Sequence, residues 1–290
     1  MTSMDSLNIL EIRDLKKSFA DDFVIDIPEL DIPSGAIVGM IGENGAGKTS
    51  VLRIIMNIYG RESGSIKGFG GIDNVSDEAK FKNLVGFVPD EDYLNIALTP
   101  EKTAKAFAAV FGKWDSGVFS KYVKMWQIDT KKKCGSLSKG TKTKVMLALA
   151  LAHDPKLLIL DEPTAGLDPA ARLEILDILR EFVSDGERSV IFSTHITGDL
   201  DKTADYIAMM IDGKLNEMLS ADEAQEKYAV VSGERPAPTR YLIGEKETSL
   251  GYEALVLRKD IPSLGNVSVR TPNYEDILVH TILQNRENRK

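Results

Sequence analysis

The sequence predicts an α/β fold: a mostly parallel sheet with helices on both faces, a helical subdomain inserted in it, and a small α+β accessory domain at the C-terminus. Three observations predict this. Short apolar runs at 36–41, 157–160 and 189–194 are separated by helical patterns such as 171–183, and strands alternating with helices make parallel sheets. Residues 99–129 change to alanine, lysine and aromatics without β-branched runs, which favours helices. After Asn216 short strand-like pieces surround a loop rich in proline and glycine at 232–239.

In chain order, the first clear element is the strand at 36–41, bounded by Gly35 and Gly42 and apolar throughout, as expected for a strand covered on both faces. Val51, Leu52, Ile54, Ile55 and Ile58 then recur at helical spacing. GFGG at 68–71 reads as a turn between strands, and Lys131 to Lys133 as a solvated run. The helical subdomain is expected at about 91–155, and the main domain at 1–215. In the accessory domain, 216–290, strands are expected at RYLI, EALVLR and NVSVR. A last helix is expected from Thr271–Pro272, with threonine as its cap and proline in its first turn.

Composition narrows the function. Of 290 residues, 43% are hydrophobic and 28% charged, enough for a packed core. The net charge of −8 disfavours nucleic acid as a partner, because phosphate backbones attract basic surfaces. One cysteine, Cys134, can form no internal disulfide and reads as a small buried apolar residue. The longest apolar run, Val145 to Ala152, is far short of the roughly 20 residues that span a bilayer. The opening residues, with Asp5 and Glu11, lack a basic stretch before an apolar core, so no secretory signal is expected.

Gly42, Glu43, Asn44, Gly45, Ala46, Gly47, Lys48 and Thr49, followed by Ser50, match the phosphate-binding pattern G-x-x-x-x-G-K-[ST] between a strand and a helix. Glycines let backbone amides converge on an anion, and the helix behind adds the positive end of its dipole. Lys48 would pair with the β- and γ-phosphates and Thr49 would ligate Mg²⁺. LLILDE, at 157–162, is an apolar strand ending in two carboxylates. Asp161 would support Mg²⁺ and Glu162 would orient and deprotonate a water. In LSKGT, Ser138 and the Gly140 amide precede a good helix. Taken alone they make an ordinary N-cap; beside the first anion site they suggest a nucleotide gripped from two sides.

GENGAGKT, LSKGT, LLILDEPTAGLD and His195 after a strand occur in the order found in the ABC transporter ATPases, and over about residues 7–215 the chain resembles that family. The resemblance implies a RecA-like P-loop NTPase core that hydrolyses ATP with Mg²⁺. It also implies a head-to-tail dimer with a second copy or a homologous ATPase, in which the phosphate loop of one subunit faces LSKGT of the other. Asp168 would cross that interface, His195 would reach the γ-phosphate, and Phe19 falls where the family stacks an aromatic on adenine, although a core aromatic explains Phe19 equally well. Integral membrane permease subunits would hold the ATPase at the inner, cytoplasmic face of the membrane. The tail, with PNYEDILVH, resembles bacterial ABC-2-type exporters of antimicrobial peptides, lantibiotics or phenol-soluble-modulin-type toxins.

Departures from the family pattern concentrate in two places. LSKGT has Lys139 and Thr141 where glycine and glutamine are usual. In VGFVPDED, Asp90 replaces the usual glutamine that links the magnesium site to the permease, so a carboxylate is added near Asp161 and Glu162. Rival readings are a soluble ABC ATPase acting on ribosomes or DNA, an exporter of drugs or other small molecules, and a simple P-loop kinase or GTPase. The last has no use for LSKGT or His195.

Overall fold

The computed structural model describes residues 8–20, 22–235, 237–249 and 251–288. Asp5, on which the reading of the N-terminus partly rests, lies outside them. Fourteen strands and nine α-helices occur among the described residues. The strands are β1 (Asn8–Ser18), β2 (Val24–Pro33), β3 (Ile37–Ile41), β4 (Ser63–Gly68), β5 (Ile72–Asp73), β6 (Val85–Val88), β7 (Leu157–Asp161), β8 (Ser189–Ser193), β9 (Tyr206–Ile211), β10 (Lys214–Ser220), β11 (Tyr228–Gly233), β12 (Ile243–Thr248), β13 (Gly251–Leu257) and β14 (Ser268–Arg270). The helices are α1 (Lys48–Ile55), α2 (Glu78–Asn83), α3 (Pro100–Ala108), α4 (Ser116–Met125), α5 (Lys139–Leu151), α6 (Pro169–Val183), α7 (Thr197–Thr203), α8 (Ala221–Lys227) and α9 (Tyr274–Glu287).

A ten-stranded sheet runs in the order β5-β4-β1-β2-β10-β9-β3-β8-β7-β6. Strands β9, β3, β8, β7 and β6 are parallel, and every residue of β3, β7 and β8 is buried. That explains why these strands read as unbroken apolar runs, since helices cover both faces. The other edge is an antiparallel wing of β1, β2, β4 and β5, which β10 joins to the parallel strands. Its strands alternate: in β2, Ile25, Ile27, Leu30 and Ile32 are buried while Glu29 is exposed. The wing is therefore covered on one face.

Residues 99–129 form two short helices. Thr99 caps α3 by accepting from the Lys102 amide, and Asp115 caps α4 by accepting from Gly117 and Val118. They pack on α5, in which Val145 to Leu151 are all buried. Cys134 is fully buried in the same cluster, and Lys131 to Lys133 are exposed.

The C-terminal part corrects three details of the sequence reading. A boundary at 216 falls inside β10, which belongs to the large sheet; the second sheet, ordered β12-β13-β11-β14, begins only after α8. Thr239–Tyr241 is a turn of 3-10 helix, so the strand at RYLI starts later, at Ile243. Thr271 does not cap the last helix. Asn273 does, in a capping box with Asp276, because an asparagine followed three residues on by a carboxylate satisfies two amides reciprocally. Strand β11 went unread although Tyr228, Ala229, Val230 and Val231 are all buried. Its two faces serve different cores. Ala229 and Val231 meet Tyr252, Ala254 and Val256, while Tyr228 and Val230 join Leu255, Tyr274 and Ile277 in the main cluster.

Candidate nucleotide site

The site is built at the carboxyl ends of β3, β7 and β8, where an open α/β sheet gathers ligands. The chain leaves β3 at Ile41 and turns through Gly45 (φ 83°) and Gly47 (φ 101°) directly into α1. At Gly47 a side chain has no room either: a Cβ would come within 2.5 Å of Ile25. Helix α1 has no side-chain cap, so its first amides face the loop. Lys48 is 7% exposed, and its Nζ donates to the carbonyls of Gly42 (2.8 Å) and Glu43 (3.1 Å). Burial lowers its pKa from the ordinary lysine value, opposed by Glu162 and Asp161.

The Thr49 hydroxyl donates to Asp161 Oδ1 at 3.0 Å, and the Ser193 hydroxyl donates to the same oxygen at 2.5 Å. Glu162 follows with φ 52°, a left-handed conformation that costs a non-glycine residue on the order of 1–3 kcal/mol. Its amide is held by the Ser193 carbonyl and hydroxyl, both at 3.1 Å. The turn brings Glu162 Oε2 to 2.8 Å from His195 Nδ1, so the last residue of LLILDE and the lone histidine after β8 meet.

These groups open on a cleft of about 540 Å³ lined by Phe19, Phe23, Asn44, Gly45, Gly47, Lys48, Thr49, Ser50, Tyr59, Asp90 and Glu162. Phe19, half-buried, lies 5.7 Å from Tyr59 and 6.0 Å from Phe23. The cleft thus has an aromatic end and a phosphate-loop end. A larger groove of about 660 Å³, between Trp114, Tyr122 and Phe182, contains none of the motif residues.

Ser138, Gly140 and Asp168 do not line this cleft. Ser138 caps α5, accepting from the Thr141 amide, and is exposed. A Cβ on Gly140 would meet Leu167 at 2.7 Å, so LSKGT and the AGLD turn sit side by side. Asp168 is exposed and caps α6 by accepting from Ala170 and Ala171, bonds that lower its pKa. Asp90 lines the cleft and pairs with Lys139 at 2.7 Å.

The residues fit a magnesium ion. Mg²⁺ takes hard oxygen donors, commonly one or two from protein and the rest from water and phosphate. Thr49 and Asp161 place a hydroxyl and a carboxylate in contact beside the phosphate loop.

Sequence reasoning missed several supports. Ser193 looks like an ordinary strand residue until its hydroxyl is seen on Asp161. Thr164 donates to the buried Asp199 at 2.8 Å, tying the loop after Glu162 to the helix after His195. From the far end of the chain, Arg286 on α9 pairs with Glu43 of the phosphate loop, and Asn285 donates to Asp212 at 2.9 Å. At its other end α9 receives the Thr197 hydroxyl on Glu275 at 3.3 Å, two residues beyond His195. Such long-range contacts leave no local signal in sequence.

Known proteins are similar to this chain in sequence and in fold. The family model "ABC transporter" matches residues 25–165. The lantibiotic transport ATP-binding protein SrtF of Streptococcus pyogenes is 32% identical over 71% of this chain and 89% of its own. The bacitracin transport ATP-binding protein BcrA of Bacillus licheniformis is 28% identical over 76% of this chain and 72% of its own. Among solved structures, cbiO1 of Clostridium perfringens, part of the transporter complex cbiONQ, superposes with a TM-score of 0.61 at 27% identity, covering 73% of this chain and 88% of that one.

Proposed function

The chain belongs to the ABC transporter family as an ATP-binding, ATP-hydrolysing subunit, and from that premise we propose that it powers export of a peptide through separate permease subunits. The observation that carries the site assignment is the convergence of Lys48, Thr49–Asp161 and Glu162–His195 at one end of a cleft whose other end is aromatic.

The roles follow from the chemistry of each group. Adenine stacks at Phe19, and the phosphates lie in the loop from Gly42 to Ser50, with Lys48 turning from its loop carbonyls to the β- and γ-oxygens. Thr49 and Asp161 would hold Mg²⁺, and Asp90, on the wall of the same cleft, would support it. The ion supplies charge neutralisation at the phosphates. Glu162 orients the attacking water and accepts its proton, and His195, in contact with that carboxylate, contributes a donor to the γ-phosphate. Ser138, Gly140 and Asp168 lie outside the cleft of their own chain and serve the nucleotide of a second copy. Two subunits then clasp two ATP molecules, and hydrolysis removes the phosphate both hold.

No described helix is long and apolar enough to cross a membrane. The membrane path is therefore assigned to permease partners that keep the ATPase at the cytoplasmic face. The peptide class follows SrtF and BcrA, whose names specify lantibiotic and bacitracin transport. The test is co-purification with any membrane protein encoded beside this gene, followed by ATPase assays with candidate peptides. Peptide-stimulated turnover supports the assignment; stimulation only by non-peptide drugs, or no membrane partner, contradicts it.

A further inference from the structure

The acidic run at 90–92 sits between two helices and is matched acid by acid. Asp90 pairs with Lys139 at 2.7 Å, Glu91 with Arg53 at 3.5 Å, and Asp92 with Lys142 at 3.0 Å. Arg53 lies on α1, the helix behind the phosphate loop; Lys139 and Lys142, three residues apart, share one face of the first turn of α5. Of the three acids only Asp90 lines the nucleotide cleft, whose other charged lining residues are Lys48 and Glu162. An unmatched carboxylate there would repel a triphosphate.

We propose that Lys139 is the counter-charge of Asp90, and that this pair is what lets an acid stand at the wall of a polyphosphate cleft. The proposal rests on the reading that ATP enters this cleft. The two side chains are 60% and 43% exposed, so their pairing adds little to folding. Its consequence is on the field in the cleft, where a single uncompensated charge beside a phosphate changes affinity by about two- to tenfold at low salt. The pair also ties the cleft wall to the turn carrying Ser138, so whatever draws Asp90 toward a bound nucleotide releases Lys139 beside that serine.

The test is a double-mutant cycle on ATP affinity, measured by calorimetry with EDTA in low salt so that no metal ligation enters. Lys139→Ala is expected to weaken binding about fivefold, and Lys139→Arg to restore most of it. In an Asp90→Asn background the same Lys139→Ala change should cost less than about twofold, and high salt should shrink the original difference. Unchanged melting temperatures are expected for each variant. The proposal is overturned if Lys139→Ala leaves affinity unaltered, or weakens it by the same factor with Asn at 90. If the parent chain does not bind ATP, or Lys48→Ala binds as tightly, the cleft reading falls first and takes this one with it.

Discussion

The nucleotide cleft and the C-terminal unit of this chain are built on opposite principles. The cleft is assembled from short contiguous motifs, each on a strand end, and its bonds are local and specific: Lys48 to the loop carbonyls, Thr49 and Ser193 to Asp161, and His195 to Glu162. The C-terminal unit has no such motif. It is held by packing, with Tyr228, Val230, Leu255 and Ile277 merged into the main core, and by polar contacts from both ends of α9 to α7 and the phosphate loop. Catalytic geometry demands particular residue types at fixed spacing, whereas packing accepts any apolar side chain of suitable volume. The difference says that the cleft fails by losing a single atom and the tail by losing volume.

The largest expected effect is at the cleft. Glu162→Gln keeps the shape but removes the proposed proton acceptor, so steady-state turnover should fall by about 10²–10⁴ while ATP affinity holds. Turnover within a few-fold of the parent would take Glu162 out of its role. The next effect is on the tail. Ile277 is fully buried on α9, so Ile277→Ala should cost about 2–4 kcal/mol and lower one cooperative melting transition of the whole chain. A separate, earlier transition would show the tail to be an independent domain. The smallest is where the two regions touch. Arg286 and Glu43 are 62% and 47% exposed, so Arg286→Ala should change stability by less than about 1 kcal/mol and ATP affinity by no more than a few-fold. A large loss of affinity would make α9 part of the nucleotide machinery.

That contrast also decides what was legible in the sequence. The parallel strands β3, β7 and β8 declared themselves because burial on both faces forces unbroken apolar runs, and the phosphate loop because its glycines and lysine have few substitutes; the parallel β6 and β9 were not read. The antiparallel wing was less visible, since β1 and β2 are interrupted by charged residues on their open faces. In the tail, β11 follows α8 directly, with no turn residue to mark its start, and Thr271–Pro272 imitates a helix start two residues before Asn273 provides the real one. Asp90 and Lys139 were each visible as oddities. That they meet could not be read, because 49 residues of chain separate them.

Ser138, Gly140 and Asp168 stand apart from the cleft formed by their own chain, and on the proposed function two chains complete each other's nucleotide sites. Light scattering on the Glu162→Gln protein, saturated with Mg²⁺ and ATP, measures this directly. A dimer that reverts to monomer when nucleotide is removed is expected. A mass of one chain under saturating nucleotide would contradict it.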